Sequence, residues 1–258
     1  MADVLDLSIR SVQAAGKVLL EHREELTRVE QQFAHDVKLA ADRKAEELIL
    51  EILREGDPGC TIQTEERGFF QGYNGHTWHI DPLDGTVNYY HGQHHFCSSV
   101  ACYQDDAEED LGIPLAGAVL APPVNELFQC RAGEGSFCNG RRLSCSDVSS
   151  LDQVILSASF GSSDESIRRM QGILYDLLPR IFKLRIQGST ALEICAVASG
   201  RLSAMYQTGV KTWDFAAAGL ILQEAGGVLV TEEYAPGMWN VLAAAPGVAE
   251  ELSPVFFE

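Results

Sequence analysis

Asp81 and Asp84 stand three residues apart in His79-Ile80-Asp81-Pro82-Leu83-Asp84-Gly85-Thr86, with a proline between them and Gly-Thr behind. Pro82 fixes one backbone angle between the acids and Gly85 lets the chain turn away, so the two carboxylates can converge on one point just off the backbone. Such a point suits a hard divalent cation. Mg²⁺ takes oxygen ligands at near-octahedral angles and keeps waters that a phosphate can displace. The same residues leave a second reading open, because Asp-Pro-x-Asp-Gly also makes a surface-accessible β-turn, with Asp at its start and Gly supplying the unusual backbone angle.

Further acids bear on the choice. Thr64-Glu65-Glu66-Arg67-Gly68 follows the β-like Cys60-Thr61-Ile62-Gln63, and Asp214 sits in the first turn of the apolar helix that begins Thr212-Trp213-Asp214-Phe215. An acid there favours the helix macrodipole. Trp213 and Phe215 also predict a largely buried setting, in which a carboxylate needs a metal or a basic partner. Nothing in the spacing brings these segments together in space. His91, His94 and His95 offer imidazoles that bind Zn²⁺ or Ni²⁺ well, against a plainer reading as surface or packing side chains. Tyr89 and Tyr90 read as core or rim aromatics, since no basic groove accompanies them.

The elements that must position these residues form a layered pattern. Leu5, Ile9, Val12, Gly16, Leu19 and Leu20 recur at helical spacing, and Ala45, Leu48, Ile49, Ile52 and Leu53 mark a second helix that Gly56-Asp57-Pro58-Gly59 ends. Strand-like runs at 96–103, 115–121 and 125–131 follow, the last two joined across Pro122-Pro123 as a hairpin, with 132–140 as loop. Then strands (153–159, 181–187, 203–207) alternate with helices (164–178, 189–198, 213–225), and Gly226-Gly227 caps the last helix before a strand from Val228. Hairpins first and alternation later predict an α/β (α+β) protein with mixed sheets, a single domain over 1–258 whose halves meet near residue 150.

Composition narrows the function. The 258 residues carry 19 Lys+Arg against 37 Asp+Glu, a formal charge of −18, which opposes a nucleic-acid footprint or an anionic membrane surface. No apolar run approaches the roughly 20 residues that span a bilayer, and the first residues lack the features of a signal peptide, so a cytoplasmic location is expected. The 7 cysteines, with no C-x-x-C pair, fit reduced buried thiols better than a disulfide framework or a thiol zinc site.

Residues 78–92 and 213–227 resemble the two signature motifs of the inositol monophosphatase family, lithium-sensitive, magnesium-dependent phosphomonoesterases. Supporting stretches at 36–49, 64–66, 133–146 and 188–201 occur in the family's order, and the resemblance runs from about residue 5 to 245. It implies a layered αβαβα sandwich, the sugar-phosphatase fold, assembled as a homodimer and acting on a small phosphate ester. It further implies two to three Mg²⁺ ions per site. Glu65, Asp81 and the Leu83 carbonyl would hold the first, Asp81, Asp84 and Asp214 the second, and a weaker third would lie near Glu65. Thr86 and Asp42 match the pair that orients and deprotonates the attacking water, with Glu65 assisting. Gly85 and Thr86 would offer N–H groups to the phosphate, and Gly188, Ser189 and Thr190 would meet substrate hydroxyls at a helix N-terminus.

This sequence departs from the family pattern at several positions. Gln31 or Gln32 replaces the lysine usual in the metal loop, and Leu39 stands where threonine is common, which together imply weaker inhibition by lithium. Gln207 occupies a position that commonly carries a glutamate facing inositol hydroxyls, and Ser203 replaces a frequent aspartate. Fructose 1,6-bisphosphate, histidinol phosphate and 3′-phosphoadenosine 5′-phosphate are alternative substrates of the same chemistry. A non-catalytic regulatory role on the same fold is a third reading.

Overall fold

The structure is a computed structural model that describes residues 2–27, 29–32, 37–108, 111–160 and 164–257. The side chains of Gln31 and Gln32, assigned above to the metal loop, lie outside the described residues. The chain opens with helix α1 (Val4–Glu21), a short α2 (Arg23–Leu26), an antiparallel pair β1 (Val29–Gln32) and β2 (Val37–Leu39), and helix α3 (Ala40–Gly56). Then come β3 (Thr61–Thr64), β4 (Gly68–Phe70), β5 (His76–Asp84), the short α4 (Thr86–Tyr90), β6 (Cys97–Gln104), β7 (Ile113–Ala121), β8 (Glu126–Arg131), β9 (Gly135–Cys138) and β10 (Arg141–Arg142). The chain continues through β11 (Ile155–Ala158), α5 (Asp164–Leu177), β12 (Lys183–Arg185), α6 (Thr190–Ala198), β13 (Ala204–Val210), α7 (Thr212–Glu224), β14 (Val228–Ala235), β15 (Met238–Ala244) and α8 (Pro246–Phe257).

Two mixed sheets result. An eight-stranded sheet runs β10-β9-β8-β7-β6-β5-β3-β4, antiparallel except where β3 lies parallel to β5. A five-stranded sheet runs β12-β11-β13-β15-β14, with β11 parallel to both β12 and β13. The expected αβαβα layering follows from which faces are apolar. Leu7, Val12, Ala15 and Leu19 of α1 pack with Ala45, Ile49 and Leu53 of α3 against one face of the larger sheet. Helices α6 and α7 fill the space between the sheets, and Met170, Leu174, Leu252 and Phe256 of α5 and α8 cover the outer face of the smaller one. A helix between two sheets must be apolar all round. α7 is: Phe215 through Leu222 are all buried. Gly117 of β7 permits its closest approach, since a Cβ there would lie 3.2 Å from the Ala217 Cα.

Several sequence expectations change. Asp81 and Asp84 do not form a surface turn: they end the nine-residue strand β5, and both are buried. The supposed loop at 132–140 contains β9, which zips onto β8, and the strand expected at 181–187 contracts to three residues at the sheet edge. β15 and α8 carry no clear period, and α8 holds Pro246 in its first turn and Pro254 inside. All seven cysteines are free thiols. No helix among the described residues is long and apolar enough to cross a membrane.

Candidate active site

In a regular strand, residues three apart point to opposite faces. The pairing of β5 with β6 shifts register between Asp81 and Asp84, and this irregularity resets the alternation so that both acids line one cavity. Gly85 then turns the chain at φ 89°, where a Cβ would lie 2.8 Å from the His95 carbonyl oxygen. The cavity, of about 350 Å³, is also lined by Glu65, Leu83, Gly85, Thr86, Gly188, Thr190, Gln207 and Asp214.

Each acid has its own support. Glu65 lies just beyond β3 in a turn held by Glu46 of α3. One Glu46 oxygen accepts the Thr64 hydroxyl at 2.7 Å and the Arg67 N–H at 3.1 Å, while the Arg67 guanidinium reaches the other at 2.9 Å. Asp214 closes the first turn of α7, accepting the Lys211 N–H at 2.7 Å. Asp84 meets the start of α6: its carboxylate accepts the Ser189 hydroxyl at 2.6 Å, the Ala191 N–H at 2.8 Å and the Thr190 N–H at 3.2 Å. A helix N-terminus favours an anion there.

Two of the expected site residues do not line the cavity. Ser189 is buried, and its hydroxyl serves Asp84 instead of facing a substrate. Asp42 lies behind Thr86, whose hydroxyl is 3.2 Å from Asp42 Oδ1 and 2.9 Å from the Leu83 carbonyl oxygen. Asp42 Oδ2 accepts the Leu39 N–H at 2.8 Å, which starts α3 and fixes the carboxyl in place. Thr190 donates its hydroxyl to Gln207 Oε1 at 2.9 Å, and Gln207 lines the cavity. Of the three histidines weighed for metal, His91 and His94 are exposed and His95 is half-buried. None of the three belongs to a metal-ligand cluster among the described residues.

Sequence reasoning missed three supporting residues. Asn88 Nδ2 donates to the carbonyls of His95, Gln187 and Gly188, clipping the wall of the cavity. Glu193 accepts the Gly188 N–H at 2.8 Å and so holds the turn that precedes α6. His79 Nδ1 meets the Thr212 hydroxyl at 3.1 Å, and this bridge ties β5, two residues before Asp81, to α7, two residues before Asp214. Burial pushes the His79 imidazole down to about 4, so the bridge is a neutral hydrogen bond at pH 7. His79→Val and Thr212→Val are therefore expected to couple by about 0.5–1.5 kcal/mol in a double-mutant cycle of denaturant unfolding. Strictly additive losses would remove the bridge.

Charge dominates the site. Burial first, then the neighbouring charges of Glu65, Asp84 and Asp214, hold the Asp81 carboxyl well above the ordinary carboxylate range. Glu65 is raised likewise, by burial and then by Asp214, Asp42 and Glu66, and the Lys38 ammonium opposes these only in part because it is spent on Glu66 at 2.8 Å. Burial also lifts Asp42 to about 7. Crowded carboxylates with this little basic compensation, all offering hard oxygens, fit a divalent cation. Glu65, Asp81, Asp84, Asp214 and the Leu83 carbonyl are the groups that could hold it.

The geometry agrees with what the chain resembles. Residues 1–253 match the profile of the inositol monophosphatase family. Nus factor SuhB of Pasteurella multocida is 34% identical over 261 residues, which span 98% of this chain and 95% of its own. Among solved structures, Thermotoga maritima IMPase superposes with a TM-score of 0.85 at 30% identity, covering 98% of this chain and 96% of its own. Extragenic suppressor protein suhB from Bartonella henselae does so with a TM-score of 0.89 at 27% identity, covering 99% and 98%.

Proposed function

The chain belongs to the inositol monophosphatase family, and from that premise we propose that it is a Mg²⁺-dependent phosphomonoesterase acting on inositol monophosphate or a related sugar or polyol phosphate. The observation that carries this reading is the convergence of Glu65, Asp81, Asp84 and Asp214 on one cavity, with Asp81 and Glu65 raised by burial and mutual repulsion. Bound Mg²⁺ would supply Lewis-acid polarisation of the phosphate and stabilise the leaving alkoxide. It would also reverse the field of a chain whose formal charge of −18 repels phosphate.

The chain's own groups supply the rest. The Thr86 hydroxyl has one proton and two acceptors within reach, Asp42 Oδ1 and the Leu83 carbonyl. With the carbonyl given to a cation, that proton goes to Asp42, and the hydroxyl oxygen is left to orient the attacking water. Asp42, lifted to about 7, is then poised to take a proton near neutral pH. Gly85 and Thr86 line the cavity at the start of α4, and their backbone N–H groups would be donors for a phosphate oxygen.

Parallel assays on inositol monophosphate, fructose 1,6-bisphosphate, histidinol phosphate and 3′-phosphoadenosine 5′-phosphate test the substrate class. The expected outcome is the highest kcat/KM on a sugar or polyol monophosphate. Gln207 sets a finer preference. Its amide donors repel a second phosphate less than a glutamate would, so Gln207→Glu is expected to shift kcat/KM toward inositol monophosphate over fructose 1,6-bisphosphate by about tenfold, worth roughly 0.5–1.5 kcal/mol. A flat ratio would mean that Gln207 does not face the substrate. The name of the Pasteurella relative, a Nus factor, favours a second reading, a non-catalytic role on the same fold. Absence of phosphate release from all four esters in Mg²⁺ would select it.

A further inference from the structure

We propose that Asp57, His76 and Cys102 form a second metal site, distinct from the acidic cavity, that takes Zn²⁺ or a cation of similar softness. The three residues come from separate elements: Asp57 is the C-cap of α3, His76 begins β5 and Cys102 lies in β6. Their ligand atoms all lie within 4.8 Å of one another. In a tetrahedral zinc site such atoms stand about 3.3–3.8 Å apart, so a small adjustment would bring all three onto one ion, with a water as the fourth ligand. Asp81 is five residues further along β5, roughly 16 Å away at strand rise.

The surroundings are those of a held ligand set. Asp57 accepts the Trp78 indole N–H on Oδ2 at 2.8 Å and the Asn74 amide on Oδ1 at 2.8 Å, which fixes the carboxylate as outer partners fix a metal ligand. His76 Nδ1 lies 2.9 Å from Asp57 Oδ2, and its side chain is 14% exposed, which leaves a path for entry. A hydrogen-bond hub around Asp57 accounts for Asn74, His76 and Trp78. It leaves Cys102 aside, which is fully buried in the core and whose sulfur groups with the other two ligand atoms. Binding would release the thiol proton to solvent, and His76 would turn from Asp57 to bind the metal through Nδ1 with its proton on Nε2. One carboxylate and one thiolate then balance the dication, so the filled site is neutral and tolerates burial. Thiolate and imidazole select a softer ion than the all-oxygen cavity does, and the two sites sort the two metals. The filled site would staple the end of α3 to the sheet.

The test uses the full chain, freed of metal, in excess Mg²⁺ to satisfy the oxygen ligands, and titrates it with Co²⁺ as a spectroscopic stand-in for Zn²⁺. The expected result is a thiolate-to-cobalt charge-transfer band that saturates at one equivalent and is abolished by Zn²⁺. The band should vanish in Cys102→Ser and persist in Cys97→Ser, whose sulfur lies 3.6 Å from Asp84 Oδ2 beside the acidic cavity. His76→Ala, at a partly exposed position, should weaken Co²⁺ binding at least about tenfold. A wild-type chain without the band, or a band that survives Cys102→Ser, overturns the proposal. Should Cys102→Ser not fold, unchanged Co²⁺ affinity in His76→Ala overturns it equally. The result is independent of whether phosphate esters are hydrolysed.

Discussion

Asp81→Asn and Asp84→Asn are each expected to abolish Mg²⁺-dependent phosphate release, a loss of at least about 10²–10³-fold, and to move the stability of the metal-free protein in opposite directions. At Asp81 the amide keeps the one hydrogen bond the carboxylate makes among the described residues, from the Leu83 N–H at 3.0 Å on Oδ1. It also removes an ionisable group whose charged form is disfavoured, by burial first and then by Glu65, Asp84 and Asp214. Asp81→Asn should therefore raise the melting temperature measured in chelator. Burial raises the Asp84 carboxyl too, but hydrogen bonds oppose it, because both oxygens are engaged by the start of α6. An amide nitrogen turned toward one of those donors loses an acceptor and sets donor against donor, a cost of about 1–3 kcal/mol or a few degrees in Tm. Two inactive variants with melting temperatures on opposite sides of wild type are the expected result. Equal destabilisation would mean that repulsion at Asp81 is not what the metal relieves.

The second large effect belongs to the proton path. Thr86→Val and Asp42→Asn should each lower kcat by about 10²–10⁴-fold and leave the Mg²⁺ concentration for half-maximal binding nearly unchanged, because neither side chain is assigned to the metal. The amide in Asp42→Asn retains an acceptor for the Leu39 N–H, so α3 still starts correctly. Residues that act as one unit are non-additive, and the double variant should be little worse than either single one. Losses that multiply, or that appear only in KM, would separate Thr86 from Asp42. Steady-state kinetics together with direct Mg²⁺ titration distinguishes these outcomes.

Residue types alone suggested oxygen ligands at Asp-Pro-x-Asp-Gly-Thr and at the acid heading an apolar helix but left a plain turn open, and it was the resemblance that joined Glu65, Asp81, Asp84 and Asp214 in one candidate site. What stayed hidden depends on contacts between distant segments. The bulge that puts Asp81 and Asp84 on one side exists only through pairing with β6, so the local sequence reads equally well as a turn. The Glu46 clamp beneath Glu65 and the His79–Thr212 bridge join residues far apart along the chain, up to 133 positions, and no periodicity marks them. Ser189 and Thr190 look alike in sequence at the start of α6, yet one turns inward to Asp84 and the other outward to Gln207. The layering was legible in α7, whose uniform apolarity demands two covering faces. α8 was not, because Pro246, Gly247 and Pro254 disguise a helix that packing sustains.

The central claim is that the crowded carboxylates exist to bind Mg²⁺ for phosphoester hydrolysis. Phosphate release from inositol monophosphate by the unmodified chain, followed as Mg²⁺ is removed by chelator and restored, tests it most directly. Turnover is expected to disappear on chelation and to return saturably with Mg²⁺. Release that continues at the same rate in chelator would contradict it.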